Sequence, residues 1–151
     1  MYIGQTGENQ IALAIEGYQY PENPQNYFEA NWLMVDLAVC TPKAQWQAQA
    51  PVILSSELNC FIDWLQATGE NRAQNRFFDF EEPTLYICMT DRTTHAVTLE
   101  FHFHLDFRCP EEEQHETRVA VVLTLAELDS WIRQLKQYAE NYPVRYVFEM
   151  L

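Results

Sequence analysis

Residues 93–107 read Thr-Thr-His-Ala-Val-Thr-Leu-Glu-Phe-His-Phe-His-Leu-Asp-Phe, and from Val97 onward the chain changes character at every step. Val97, Leu99, Phe101, Phe103, Leu105 and Phe107 are apolar, whereas Thr98, Glu100, His102, His104 and Asp106 between them are polar. Side chains of a strand point alternately to opposite faces, so this period of two predicts a long strand with one dry face and one wet face. Such a strand belongs in an antiparallel sheet covered on a single side. Its wet face gathers Glu100, His102, His104 and Asp106, a local cluster of chemically capable side chains.

The segments around it fall into place by the same logic. Residues 11–18 alternate and predict a first strand, followed by a loop over 20–26 with two prolines and two asparagines. Residues 31–40 predict a second strand, paired through a turn at Thr41-Pro42-Lys43 with a third over 44–50. A helix capped by Ser55 or Ser56 carries the stripe Leu58, Phe61, Ile62 and Leu65 and stops at Gly69. Residues 76–80 and 84–89 read as strands, Asp91-Arg92 as a turn, 110–115 as a charged hairpin loop and 117–123 as the return strand. Thr124 and Glu127 form a capping box for a last helix with the stripe Leu128, Trp131, Ile132, Leu135 and Tyr138, closed by Pro143. The apolar tail 144–151 is expected to add an edge strand. The sum is one α+β domain over residues 1–151: a curved antiparallel sheet of about seven strands with two helices packed on one face.

Charge narrows the choice of partners. The chain has 22 acidic and 9 basic residues, a net charge of -13, and no Lys or Arg before Lys43. That excess repels nucleic acid and anionic membranes and suits a basic protein partner. No run approaches the roughly 20 apolar residues of a membrane span, and the first residues lack the pattern of a signal peptide. The four cysteines, Cys40, Cys60, Cys88 and Cys109, contain no C-x-x-C pair, and Cys60 and Cys88 read as small apolar residues inside a helix and a strand. A reduced, cytoplasmic protein is expected, with no cofactor.

The chemically capable residues carry no catalytic motif. His102 and His104 lie about 6.5–7 Å apart along one strand face, a spacing that can place two imidazoles on one metal with Glu100 or Asp106 beside them. Alternating strands produce such pairs routinely, so a solvated or partner-contacting face is the plainer reading, and no metal site is assigned. Asp79, Glu81 and Glu82 precede Pro83 and read as an acidic rim rather than as converging general acid and base. The run Glu111-Glu112-Glu113 with Glu116 reads as a solvated tip able to steer a cationic partner. The serines lack a nucleophile elbow, and the four glycines are too scattered to cradle a phosphate.

The order of motifs has a further meaning. Asn31-Trp32-Leu33 opens a strand, Trp46 follows, and Phe61-Ile62-Asp63-Trp64-Leu65 marks a helix. Phe80-Glu81-Glu82-Pro83-Thr84-Leu85, Phe107-Arg108-Cys109-Pro110, the helix 128–136 and Tyr142-Pro143-Val144-Arg145 come next. This succession, from about Ile11 to Arg145, resembles the WapI-like family of bacterial immunity proteins. The resemblance implies a cytoplasmic, non-enzymatic antitoxin that binds a toxin domain, in several cases a nuclease, and occludes it. It transfers no catalytic residue. The contact residues expected are Asp79, Glu81, Glu82, Glu100, His102, His104 and Asp106. Two other classes remain open: a metal-binding module or metal-dependent hydrolase built on His102 and His104, and a structural or small-ligand module.

Overall fold

The computed structural model describes residues 1–112 and 114–146. Among these residues, seven antiparallel strands and three α-helices build an α+β fold, as expected, with the strands distributed over two sheets. The first sheet holds β1 (Gln10–Tyr18), β2 (Trp32–Cys40) and β3 (Gln45–Leu54) in that order. The second holds β4 (Phe77–Asp79), β5 (Leu85–Arg92), β6 (Ala96–His104) and β7 (Glu116–Thr124). Pro51 is accommodated because β3 is an edge strand and its register with β2 shifts there, Leu33 pairing with Ile53 but Met34 with Pro51.

Alternation decides which face of each strand is dry. Ile11, Leu13 and Ile15 of β1, Leu33, Val35, Leu37 and Val39 of β2, and Val97, Leu99, Phe101 and Phe103 of β6 all enter one continuous core. Helices α2 (Ser55–Gly69) and α3 (Leu125–Asn141) close it. Their stripes meet where the Phe61 ring stands edge-on to Trp131, centroids 5.7 Å apart. Gly69 lets them approach, since a Cβ there would lie 3.1 Å from Leu128 Cδ2. Thr124 caps α3 as expected, its Oγ1 accepting from the Glu127 backbone N–H at 3.1 Å. No helix among the described residues is long and apolar enough to cross a membrane.

Several local expectations are corrected. Neither Ser55 nor Ser56 caps α2: the Glu57 carboxylate accepts the Leu54 backbone N–H at 2.9 Å, and the Ser55 hydroxyl donates to Asn31 Oδ1 at 2.7 Å. Asn31 ends a short helix, α1 (Tyr27–Asn31), instead of opening β2. Asp91 and Arg92 belong to β5, and the turn follows at Thr93, whose hydroxyl accepts from the His95 and Ala96 backbone N–H groups. Cys60 is exposed, not a core residue. The long strand ends at His104. Leu105 has φ +51°, which breaks the alternation, and Leu105–Phe107 form one 3-10 turn. Leu105 is consequently 64% exposed, whereas Phe107 is buried. Of the tail, Val144–Tyr146 form no strand, and the rest of that segment, like Glu113, lies outside the described residues.

The C-terminal segment is instead clasped to the first sheet. Asn31 is fully buried, and all four hydrogen-bonding positions of its amide are used: Nδ2 donates to the carbonyls of Tyr27 and Arg145, and Oδ1 accepts from Ser55 Oγ and the Arg145 N–H. The Arg145 guanidinium sits 3.7 Å over the Tyr18 ring and donates to the carbonyls of Tyr20, Pro21 and Ala30.

Candidate functional site

Strand register assembles the outer face of the second sheet. Asp79, Tyr86, His102 and Arg118 lie directly opposite one another across β4, β5, β6 and β7. Phe77, Cys88, Glu100 and Ala120 form the adjacent row, and His104 faces Glu116. Directly paired residues of antiparallel strands share a face, so these side chains stand together.

His102 is the hub. Its Nδ1 lies 2.6 Å from Glu116 Oε1 in a hydrogen bond. Its Nε2 lies 2.7 Å from Glu100 Oε1, but the approach is too oblique for a hydrogen bond, and this buried nitrogen has no partner of that kind. The Tyr86 ring stands perpendicular to the imidazole, centroids 5.0 Å apart. His102 is therefore only 9% exposed, although its strand position faces away from the core. The wet face is wet at its margins and covered at its centre.

Glu116 holds this centre together. Burial pushes its carboxyl up, but hydrogen bonds from Arg118 and His102, with their charges, outweigh that and hold it below the ordinary glutamate range. Arg118 pairs with Glu116 through Nε, and His104 Nε2 stands 3.6 Å from Glu116 Oε2. The Tyr86 hydroxyl is pushed up to about 12, first by its hydrogen bond with Cys88, then by burial and the neighbouring charges of Cys88 and Asp79. Phe77 is 47% exposed and its ring stacks on Tyr86 at 5.8 Å, so apolar surface stands in water amid these carboxylates.

Of the seven residues expected to make contacts, Asp79, Glu100, His102 and His104 share this face. Glu81 and Glu82 lie in the loop between β4 and β5, outside the ladder. The Glu81 backbone N–H is tied to Glu57 Oε2, and Glu82 Oε1 accepts from Thr84 at 3.3 Å. Asp106 is exposed on the 3-10 turn, off the strand alternation. Phe77, Tyr86 and Arg118 carry no expectation as contact residues, and Glu116, expected in a solvated tip, instead opens β7 and pairs with His102 and Arg118. The strands expected over 76–80, 84–89 and 117–123 hold Phe77, Tyr86 and Arg118, but only the strand register places them beside His102.

His102 Nδ1 and His104 Nε2 both approach the Glu116 carboxylate, at 2.6 and 3.6 Å, and no group of three or more His, Cys, Asp or Glu side chains among the described residues is placed to hold a metal ion. The face is an open sheet surface with acidic, aromatic and imidazole groups in fixed positions. The family model for the immunity protein WapI-like family matches residues 2–143. No curated protein matches the chain significantly.

Proposed function

The chain belongs to the WapI-like family of immunity proteins, and on that premise we propose that it neutralises its cognate toxin by occlusion, binding the toxic domain through the outer face of β4–β7. The match over residues 2–143 carries the immunity role. The acidic composition, net charge -13, supports a basic partner. A nuclease domain fits that description, because it must hold phosphates with Lys and Arg, and an acidic surface that mimics them associates quickly. Asp79, Glu100, His102 and His104 form the centre of this contact, with Glu81, Glu82 and Asp106 at its rim. The protein performs no reaction of its own in this reading and works in the cytoplasm of the cell that makes the toxin.

Co-expression tests the role. The toxin domain encoded beside this gene is expressed with and without the chain, and growth and co-purification are followed. Rescue of growth with a stable stoichiometric complex is expected. Continued killing with no complex refutes the reading.

A further inference from the structure

We propose that the stacked pair Phe77–Tyr86, flanked by Asp79 and Glu100, is the anchor of this surface and receives an arginine side chain of the toxin. The inference rests on the immunity reading above and adds the chemistry of the contact. Four observations converge. First, Phe77 keeps nearly half its surface in water on the edge strand β4, with its ring 5.8 Å from Tyr86 at 28°. Exposed rings backed by a rigid support are the usual energetic centre of an interface. Second, the support is rigid: Tyr86 rests edge-on against His102, whose Nδ1 is bonded to Glu116, itself paired with Arg118. Third, two carboxylates border the rings. Asp79 is exposed opposite Tyr86, and Glu100 stands opposite Cys88. The Arg118 guanidinium, in the same cross-strand row as Tyr86, is already engaged by Glu116. Fourth, the buried His102 Nε2 lies 2.7 Å from Glu100 Oε1 but too obliquely for a hydrogen bond, so it gives that carboxylate no aligned donor.

A guanidinium satisfies all four. It is planar and stacks on an aromatic face, and its fork of N–H groups bonds a carboxylate in two places. Lysine has the charge without the plane or the fork. An uncharged apolar group would cover the rings and strand both carboxylates in a dry interface, which is costly.

The wild-type chain, Tyr86→Ala and Phe77→Ser are titrated with the toxin domain encoded beside the gene. Separately, they are titrated with N-acetylarginine amide and N-acetyllysine amide, followed through aromatic and imidazole NMR signals. Phe77→Ser is expected to keep the wild-type melting temperature and Tyr86→Ala to stay folded with a lower one, and each to bind the toxin at least about 30-fold more weakly. Tyr86→Phe, which keeps the ring, is expected to stay within about threefold. Arginine amide should move the Phe77, Tyr86 and His102 signals in the wild type and not in the variants. Toxin binding that persists within about threefold in both ring-removing variants overturns the anchor and leaves the immunity role standing. An equal response to lysine amide overturns the choice of arginine. Failure of the wild type to bind the toxin refutes the immunity role, and the anchor falls with it.

Discussion

Replacing Asn31 by alanine removes four hydrogen bonds at once. The partners left behind are two donors, the Ser55 hydroxyl and the Arg145 N–H, and two acceptors, the carbonyls of Tyr27 and Arg145. Ser55 is 1% exposed, so water cannot replace its lost acceptor. A buried polar group orphaned in this way costs about 1–3 kcal/mol. The Arg145 backbone is only half buried and recovers part of its loss from solvent. Counting Ser55 at about 2 kcal/mol and the other three together at about 1–2, Asn31→Ala loses roughly 3–4 kcal/mol. That is a large part of the 5–15 kcal/mol or so by which domains are stable.

Urea unfolding followed by tryptophan fluorescence measures it. With a slope near 2 kcal/mol per molar urea, the midpoint drops by about 1.5–2 M. Asn31→Ala combined with Ser55→Ala tests the mechanism, because removing the stranded hydroxyl returns about 1 kcal/mol or more of the sum of the single losses. A single-variant loss under about 1 kcal/mol, or strict additivity in the pair, would show that the buried amide does not hold these segments together.

Glu116 sits below its ordinary range in the fold, so its contribution is complete above the unfolded carboxylate value and disappears as pH falls through the folded one; Glu116→Gln should flatten the decline in stability between about pH 5 and pH 3, read by melting temperature. Glu57→Ala strips the acceptor from the Leu54 and Glu81 N–H groups and should cost about 1–2 kcal/mol, with faster hydrogen exchange at the Glu81 amide as its local signature. Leu105→Asn should raise stability by about 0.5–1 kcal/mol, since Asn tolerates the φ of +51° that strains a leucine, and calorimetry would record a higher transition. Association with the toxin should slow steeply as salt is raised from about 20 to 500 mM, with dissociation much less affected; a flat on-rate in stopped flow contradicts steering by the acidic surface.

The strands were legible because each buries one face, and the period of two survives in β1, β2, β6 and β7 whatever their neighbours do. The capping box at Thr124 was legible because both halves lie within one turn. Helix α1 was not. It has five residues, too few to hold by propensity, and is fastened by Asn26, whose Oδ1 accepts the Glu29 N–H, and by the bond from Asn31 to the distant Arg145. The end of β6 was hidden for a related reason: Leu105 and Phe107 continue the alternation in sequence, while a single left-handed backbone angle ends it in space. Half of the candidate site was visible as Glu100, His102 and His104 on one strand. The other half, Tyr86, Glu116 and Arg118, comes from pairing across strands, and nothing local says which residue will stand opposite which. The division of seven strands into sheets of three and four is a long-range outcome of the same kind.

The clasp at Asn31 also sets a timetable. The three-stranded sheet is made before the four-stranded one, yet the carbonyl and amide that complete its buried corner belong to a residue made 114 positions later. During synthesis that corner stays open, its amide wet and its short helix unfastened. A chain stopped before Arg145 lacks the fastening for this corner.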